Sequence, residues 1–260
     1  MSSNVIVWGK QSGATVTAFG DDSKFGDTNA FAYVFFRNEH LETARATLRI
    51  LKAEYRIPEA VTIHLKDWRS GHFRQKNRLK HLEDRDVMRF VEDAIHRLNA
   101  LTFFVQGRYW SGTLPINQAH PTMGVEWSDK AMQAFLAQTA LVELDLRHYK
   151  REEINVIISR DSTMFRFMGA RRRQAHGWVS GFSDIGAPPG YVYRLEPRVQ
   201  RAEDDLLLQF ADSIVYLVSH AFEPDRGAGE YLRILDMARN LDVRRMTFKP
   251  NEAEEGDKAI

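Results

Sequence analysis

No cysteine occurs anywhere in the 260 residues. Disulfides, thiolate nucleophiles and thiolate metal ligands are thereby excluded, and a cytoplasmic protein is the expectation. No apolar run reaches the roughly 18 residues that a membrane-spanning helix needs, so no membrane partner is expected. The opening MSSNVIVWGK lacks the basic region, apolar stretch and small-residue cleavage site of a secretory signal. GxGxxG, HExxH and EF-hand patterns are missing too. Gly9-Lys10-Gln11-Ser12 is no phosphate loop, because the earlier Gly and the adjacent Lys-Ser or Lys-Thr are absent. Ser180, in Gly177-Trp178-Val179-Ser180-Gly181, lacks nucleophile-elbow spacing. Nucleotide cofactors and zinc proteolysis are unsupported.

The chain also lacks a net charge worth the name. Lys and Arg number 36 against 35 Asp and Glu, a formal +1. The charges are nevertheless unevenly placed. From Lys66 to Lys80 six basic residues meet one acid, Asp67, and from Arg160 to Arg173 five Arg meet only Asp161. Acids collect in the last residues, and 249–260 reads as a disordered tail behind one domain over 1–248. The hydrophobic fraction of 43% is enough for an ordinary globular core.

Periodicity predicts the elements. Ala14–Phe19 and Ala30–Phe36 read as two antiparallel strands flanking a Gly- and Asp-rich segment, Gly20–Asn29. Helices are expected at Leu41–Tyr55, Arg85–Leu98, Asp129–Tyr149, Ser162–Gln174, Leu206–Phe222 and Ala228–Asn240. Strands are expected at Val61–Leu65, Leu101–Val105, Ile154–Ser159 and Tyr191–Leu195, with a loop at Gly181–Gly190. A hairpin followed by alternating strands and helices implies an α/β domain, a mixed sheet with helices on both faces.

Leu206–Phe222 is the most telling stretch. Gln209, Asp212, Ser213, Tyr216, Ser219 and His220 form one narrow stripe, and every other position is apolar or Ala. A helix so composed is buried, and the Asp212 carboxylate then needs hydrogen-bond donors, a basic partner or a metal ion. Asp21 and Asp22 follow the first expected strand, and Asp161 follows the apolar run that ends at Ser159. Acids at strand ends, joined by Asp212, form an oxygen-only set suited to Mg²⁺ or Mn²⁺. Two such ions about 3.5–4 Å apart would clamp a phosphodiester. Plainer readings stand beside these: a turn at Gly20–Ser23, a helix N-cap at Asp161, an Arg partner for Asp212.

Asp21-Asp22-Ser23 early and Gln209-Phe210-Ala211-Asp212 in a late helix resemble the domain of unknown function 3800 family, with its Asp-Glu-Ser and Gln-x-x-Asp motifs. Ile63-His64-Leu65-Lys66-Asp67-Trp68 is similar to that family's His-containing stretch. The resemblance runs from about Val16 to Phe222 by motif order. It implies a ribonuclease H-like fold whose mixed sheet holds acidic metal ligands. On it, Asp21, Asp22, Asp161 and Asp212 would bind one or two Mg²⁺ or Mn²⁺ ions. Gln209 would hydrogen-bond a ligand carboxylate or the substrate, and His64 would move a proton. Asp22 replaces the family's Glu, and Lys24 stands where a Gly often follows.

LKDWRSGHFRQKNRLKHL mixes Trp68 and Phe73 with Lys66, Arg69, Arg74, Lys76, Arg78 and Lys80, as a nucleic-acid surface or a solvated helix face would. Lys66 and Arg171, Arg172 and Arg173 are the candidate phosphate contacts. The expected function is metal-dependent phosphodiester cleavage of nucleic acid. The alternative is a non-catalytic nucleic-acid or protein-binding module that keeps the fold, with Lys24 and the shortened Asp22 as its support.

Overall fold

The computed structural model describes residues 4–8, 15–113, 128–129, 132–133, 135–137, 139–140, 154–159, 191–195, 198–224 and 229–246. The expected helix at Ser162–Gln174, the loop Gly181–Gly190 and the tail 249–260 lie outside them, as do Asp161 and Arg171, Arg172 and Arg173.

The strands are β1 (Asn4–Trp8), β2 (Val16–Phe25), β3 (Thr28–Arg37), β4 (Phe104–Ser111), β5 (Ile154–Ser159), β6 (Tyr191–Leu195), β7 (Arg198–Gln200) and β8 (Leu241–Arg245). Six of them build a mixed sheet in the order β7-β5-β2-β3-β4-β8, while β1 pairs with β6 in a parallel ribbon. Within the six, β3 alone runs against its neighbours. The helices are α1 (Leu41–Glu54), α2 (Leu65–Trp68), α3 (Gly71–Lys76), α4 (Asp84–Leu98), α5 (Leu206–Ala221) and α6 (Gly229–Leu235). The protein is therefore α/β with a mixed sheet. No helix among the described residues is long and apolar enough to cross a membrane.

The opening hairpin is longer than its composition suggests. Gly20-Asp21-Asp22-Ser23 was expected to leave the strand, yet β2 pairs with β3 without a break from Val16↔Arg37 to Phe25↔Thr28. The reversal needs only Gly26 and Asp27, with Gly26 at φ +54°. Gly and Asp are poor strand formers, but a full ladder against β3 overrides that preference. Gly20 has a packing reason as well. A Cβ there would lie 2.5 Å from the Tyr33 ring, and 2.9 Å from that of Phe31. Gly20→Ala should therefore destabilise the fold by roughly 1–3 kcal/mol, read from the chemical-denaturation midpoint. An unchanged midpoint would mean that the two rings can withdraw.

One sheet face carries Phe19, Ala30, Ala32, Val34 and Phe36 into the main core. α5 lies across β2 and β3 there, and α1, α4 and α6 complete the layer. Every α5 residue is buried except Leu206 and Asp212, as its stripe pattern requires. The Asp205 side chain caps the helix by accepting from Leu207 N–H at 2.9 Å, and Arg45 grips that carboxylate with Nε and Nη2 at 3.1 and 2.6 Å. On the other face, Lys24 Nζ and Asn29 Nδ2 donate to Asp129 at 2.6 and 3.0 Å. Helical residues from Asp129 onward, including buried Met132, Phe135 and Leu136, begin there.

Three other expectations need correction. Val61–Leu65 is not a strand; it is an irregular strap ending in α2. The strand expected at Leu101–Val105 begins at Phe104, because Leu101 closes a 3₁₀ turn and Thr102 takes a left-handed φ of +50°. Of the helix expected at Ala228–Asn240, the described residues from Gly229 on are helical only over Gly229–Leu235, and the chain then forms β8, whose charged sequence suits a sheet edge.

Candidate functional site

β2 and α5 run in the same direction with their polar positions meeting. Ser23 and Ser219 hydroxyls are 2.9 Å apart, and the Phe25 and His220 rings stack at 3.8 Å. That alignment sets Asp21, on the α5 side of the sheet, against Asp212 of the helix. Gly20 pairs with Ile158 of β5, so Ser159 comes beside Asp21 and hydrogen-bonds its carboxylate. Asp22 follows, its N–H donating to Asp21 Oδ1 at 2.9 Å.

The facing wall is the strap 57–64. It has no strand partner among the described residues, and side chains bind several of its backbone groups. Lys52 Nζ donates to the carbonyls of Glu59 and Val61, both at 2.6 Å. Trp68 Nε1 donates to Thr62 O at 2.8 Å. Gln209 Oε1 accepts from Ile63 N–H at 2.8 Å, while its Nε2 donates to Ala202 O at 3.0 Å. Both ends of the Gln209 amide therefore bind backbone. It holds the strap and the segment before α5 together, and does not reach a carboxylate as expected.

The strap delivers His64 to the cleft. Its Nδ1 lies 2.7 Å from Asp67 Oδ2, one helical turn on, and its Nε2 lies 3.8 Å from Asp212 Oδ1. An ionised carboxylate can only accept, so Nδ1 is the donor to Asp67, and Nε2 is the ring nitrogen turned toward Asp212. Asp67 carried no role in the sequence reading. Its i,i+3 spacing from His64 at a helix start was the available signal.

Asp21, Asp22, His64, Asp67, Ser159 and Asp212 share one open cleft of about 510 Å³. Of the expected site residues, Asp21, Asp22, His64 and Asp212 line this cleft. Asp161, two residues beyond Ser159, is outside the described residues. Glu203 adds a fifth carboxylate to the lining, against a single imidazole and no Lys or Arg among the described residues. The electrostatics follow. Burial raises the Asp21 carboxyl well above its ordinary range, and the charges of Asp212 and Asp22 raise it further, against the hydrogen bonds from Asp22 N–H and Ser159. Burial also pushes Asp212 up to about 6, with His64 pulling it down and Asp22 and Asp67 pushing it higher. Asp212 Oδ2 is buried without a hydrogen-bond partner.

Crowded, desolvated carboxylates with an orphaned oxygen suit a hard divalent cation. Among the described residues no three acid or imidazole groups stand at direct metal-ligand spacing. Mg²⁺ does not need that many, because it keeps several waters and binds through one or two carboxylates.

Other expectations fall differently. Lys66 is exposed on α2 and is not part of the cleft lining. Trp68 is fully buried against Phe90, with ring centroids 5.1 Å apart, so it cannot meet a base. Lys24 turns to the far face and Asp129, so it does not neutralise Asp21 or Asp212.

Comparison of the chain with protein-family models, with curated proteins and with solved structures finds no match in any of the three. The family resemblance accordingly rests on its motifs.

Proposed function

We propose that the chain is a metal-dependent phosphodiesterase of ribonuclease H-like fold that acts on nucleic acid. The observation that carries this reading is the meeting of Asp21, Asp22 and Asp212 with an Asp67-oriented imidazole in one open cleft. The strand order β7-β5-β2-β3-β4, with only β3 reversed, is compatible with the fold that the resemblance implies.

Asp21, Asp22 and Asp212 would hold Mg²⁺ or Mn²⁺, with Asp161 as the further candidate ligand. A bound ion of this kind acts as a Lewis acid on a phosphoryl oxygen and lowers the pKa of its water. The chain's own residues do the rest. Ser159 and the Asp22 N–H fix the Asp21 carboxylate, so that its orientation does not depend on the ligand. Gln209 and Lys52 hold the strap that presents His64. Asp67 fixes the His64 tautomer, and Nε2 is free to take a proton from an attacking water or return one to a leaving oxygen. Lys66 stands outside the cleft, where it could meet only phosphates beyond the reacting one, and Arg171, Arg172 and Arg173 keep the same expected role.

A binding module without catalysis drew its support partly from Lys24, and the Lys24–Asp129 contact removes that support. The deciding assay is cleavage of labelled DNA and RNA by the purified chain with Mg²⁺, Mn²⁺ or a chelator. Cleavage that requires the metal is expected. His64→Ala should then slow it about 10²- to 10⁴-fold. Asp67→Asn should cost less, about 10- to 100-fold, since it disorients the ring without removing it. Equal rates in metal and chelator would overturn the proposal.

A further inference from the structure

The structure sorts the basic stretch that follows His64 into two groups. Arg69 Nη1 donates to the Tyr216 hydroxyl at 3.2 Å and also to Tyr231, and Arg74 Nη1 bonds Leu82 O and Asp84 at 3.0 and 2.9 Å. Those two cations are consumed by the fold. Lys76, Arg78 and Lys80 are exposed and form no ion pair among the described residues. They sit on and just after α3, whose Phe73, with the cap residue Asn77, lines the same cleft as the carboxylates.

Phe73 is half-buried, packed on the core while it also borders the cleft. Asn77, one turn later, is on the same face. Its Nδ2 donates to Phe73 O at 3.0 Å, which locks the end of α3 and leaves Oδ1 as an acceptor in the cleft wall. An aromatic face and an adjacent acceptor, bordered by unpaired cations, match an unstacked base with its phosphate backbone. A paired, stacked base offers no free face to such a ring.

We infer that α3 is a single-strand guide: Phe73 stacks a base next to the bond to be cut, and Lys76, Arg78 and Lys80 carry the backbone away from the acidic cleft. This rests on the phosphodiesterase reading and narrows its substrate to single-stranded or frayed nucleic acid. Phe73 is thus a specificity-determining contact that is not itself a metal ligand.

The test is fluorescence anisotropy of a short labelled oligonucleotide, single-stranded or in a blunt duplex, with the full chain carrying Asp212→Asn in Mg²⁺. The single strand should bind at least about 10-fold tighter than the duplex. Phe73→Leu, which keeps an apolar side chain of similar bulk, should weaken single-strand binding roughly 5- to 100-fold, while Phe73→Tyr stays within about 2-fold. Both should melt with the parent. Replacing Lys76, Arg78 and Lys80 together by Gln should make the slope of log K against log salt shallower by about 2, since each single-strand phosphate contact contributes about 0.7. The inference falls if the duplex binds equally, if Phe73→Leu binds like the parent, or if neither oligonucleotide binds. Metal-dependent cleavage indifferent to Phe73 would overturn this inference and leave the phosphodiesterase reading standing. Phe73-dependent binding by a chain that cleaves nothing in any metal would do the reverse.

Discussion

Asp212→Asn is expected to lower metal-dependent cleavage by at least about 10³-fold and at the same time to stabilise the cation-free protein. Both effects have one origin. The Asp212 carboxylate is mostly buried, its Oδ2 has no hydrogen-bond partner, and Asp22 and Asp67 repel its charge. On the metal-dependent reading, a bound cation would compensate the ionised group there. An amide of the same shape removes the repulsion and with it the ligand. Initial rates on a labelled oligonucleotide and a denaturant midpoint at neutral pH, both from the same preparation, check the pair. A variant that cleaves normally would remove Asp212 from the site, and one that unfolds would make it a structural residue.

Adding Mn²⁺ should raise the melting temperature by roughly 5–10 °C at about 100 times its dissociation constant, and the rise should grow with pH. The sign comes from the two buried acids. The folded-state pKa of Asp212 is raised to about 6 and that of Asp21 is raised well above its ordinary value. The folded chain therefore holds protons that the unfolded chain releases near pH 4. Without metal, the contribution of these two acids to stability is fully present below about pH 4 and is lost as the pH rises through about 6. Metal binds the ionised acids, so it cancels that loss, and its benefit is smallest in acid. Melting curves from about pH 5 to 7.5, each with Mn²⁺ or with chelator, separate the two lines. A shift that shrank toward neutrality would place the ion somewhere other than between these carboxylates.

The helix that carries Asp212 was legible because its own pattern excludes solvent on nearly every side, a property read without knowledge of its neighbours. The strand Ile154–Ser159 was legible for a similar reason: an unbroken apolar run has to be covered on both faces. The length of the hairpin was not. Gly20-Asp21-Asp22-Ser23 has turn composition, and only the complete pairing with β3 holds it extended. Val61–Leu65 misled in the opposite sense. Its β-branched residues favour a strand, but its backbone groups go to Lys52, Trp68 and Gln209, partners that no local signal discloses. Composition also could not separate Arg69 and Arg74, spent on tyrosines and Asp84, from the cations that stay in solvent. Asp67 was missed because a lone His draws attention to the ring and not to what orients it.

The strap has a consequence for how this molecule can diverge. Asp21 and Asp22 hang from ladder hydrogen bonds of β2, made by main chain that side-chain replacement leaves in place. The imidazole opposite is suspended from the amine, indole and amide of three separate residues. On the phosphodiesterase reading, drift at any of those tethers would detune proton transfer while ion capture persisted. Descendants of this scaffold could thus lose turnover in a few changes and survive as cation-loaded binders, a route that a base anchored on a strand would close.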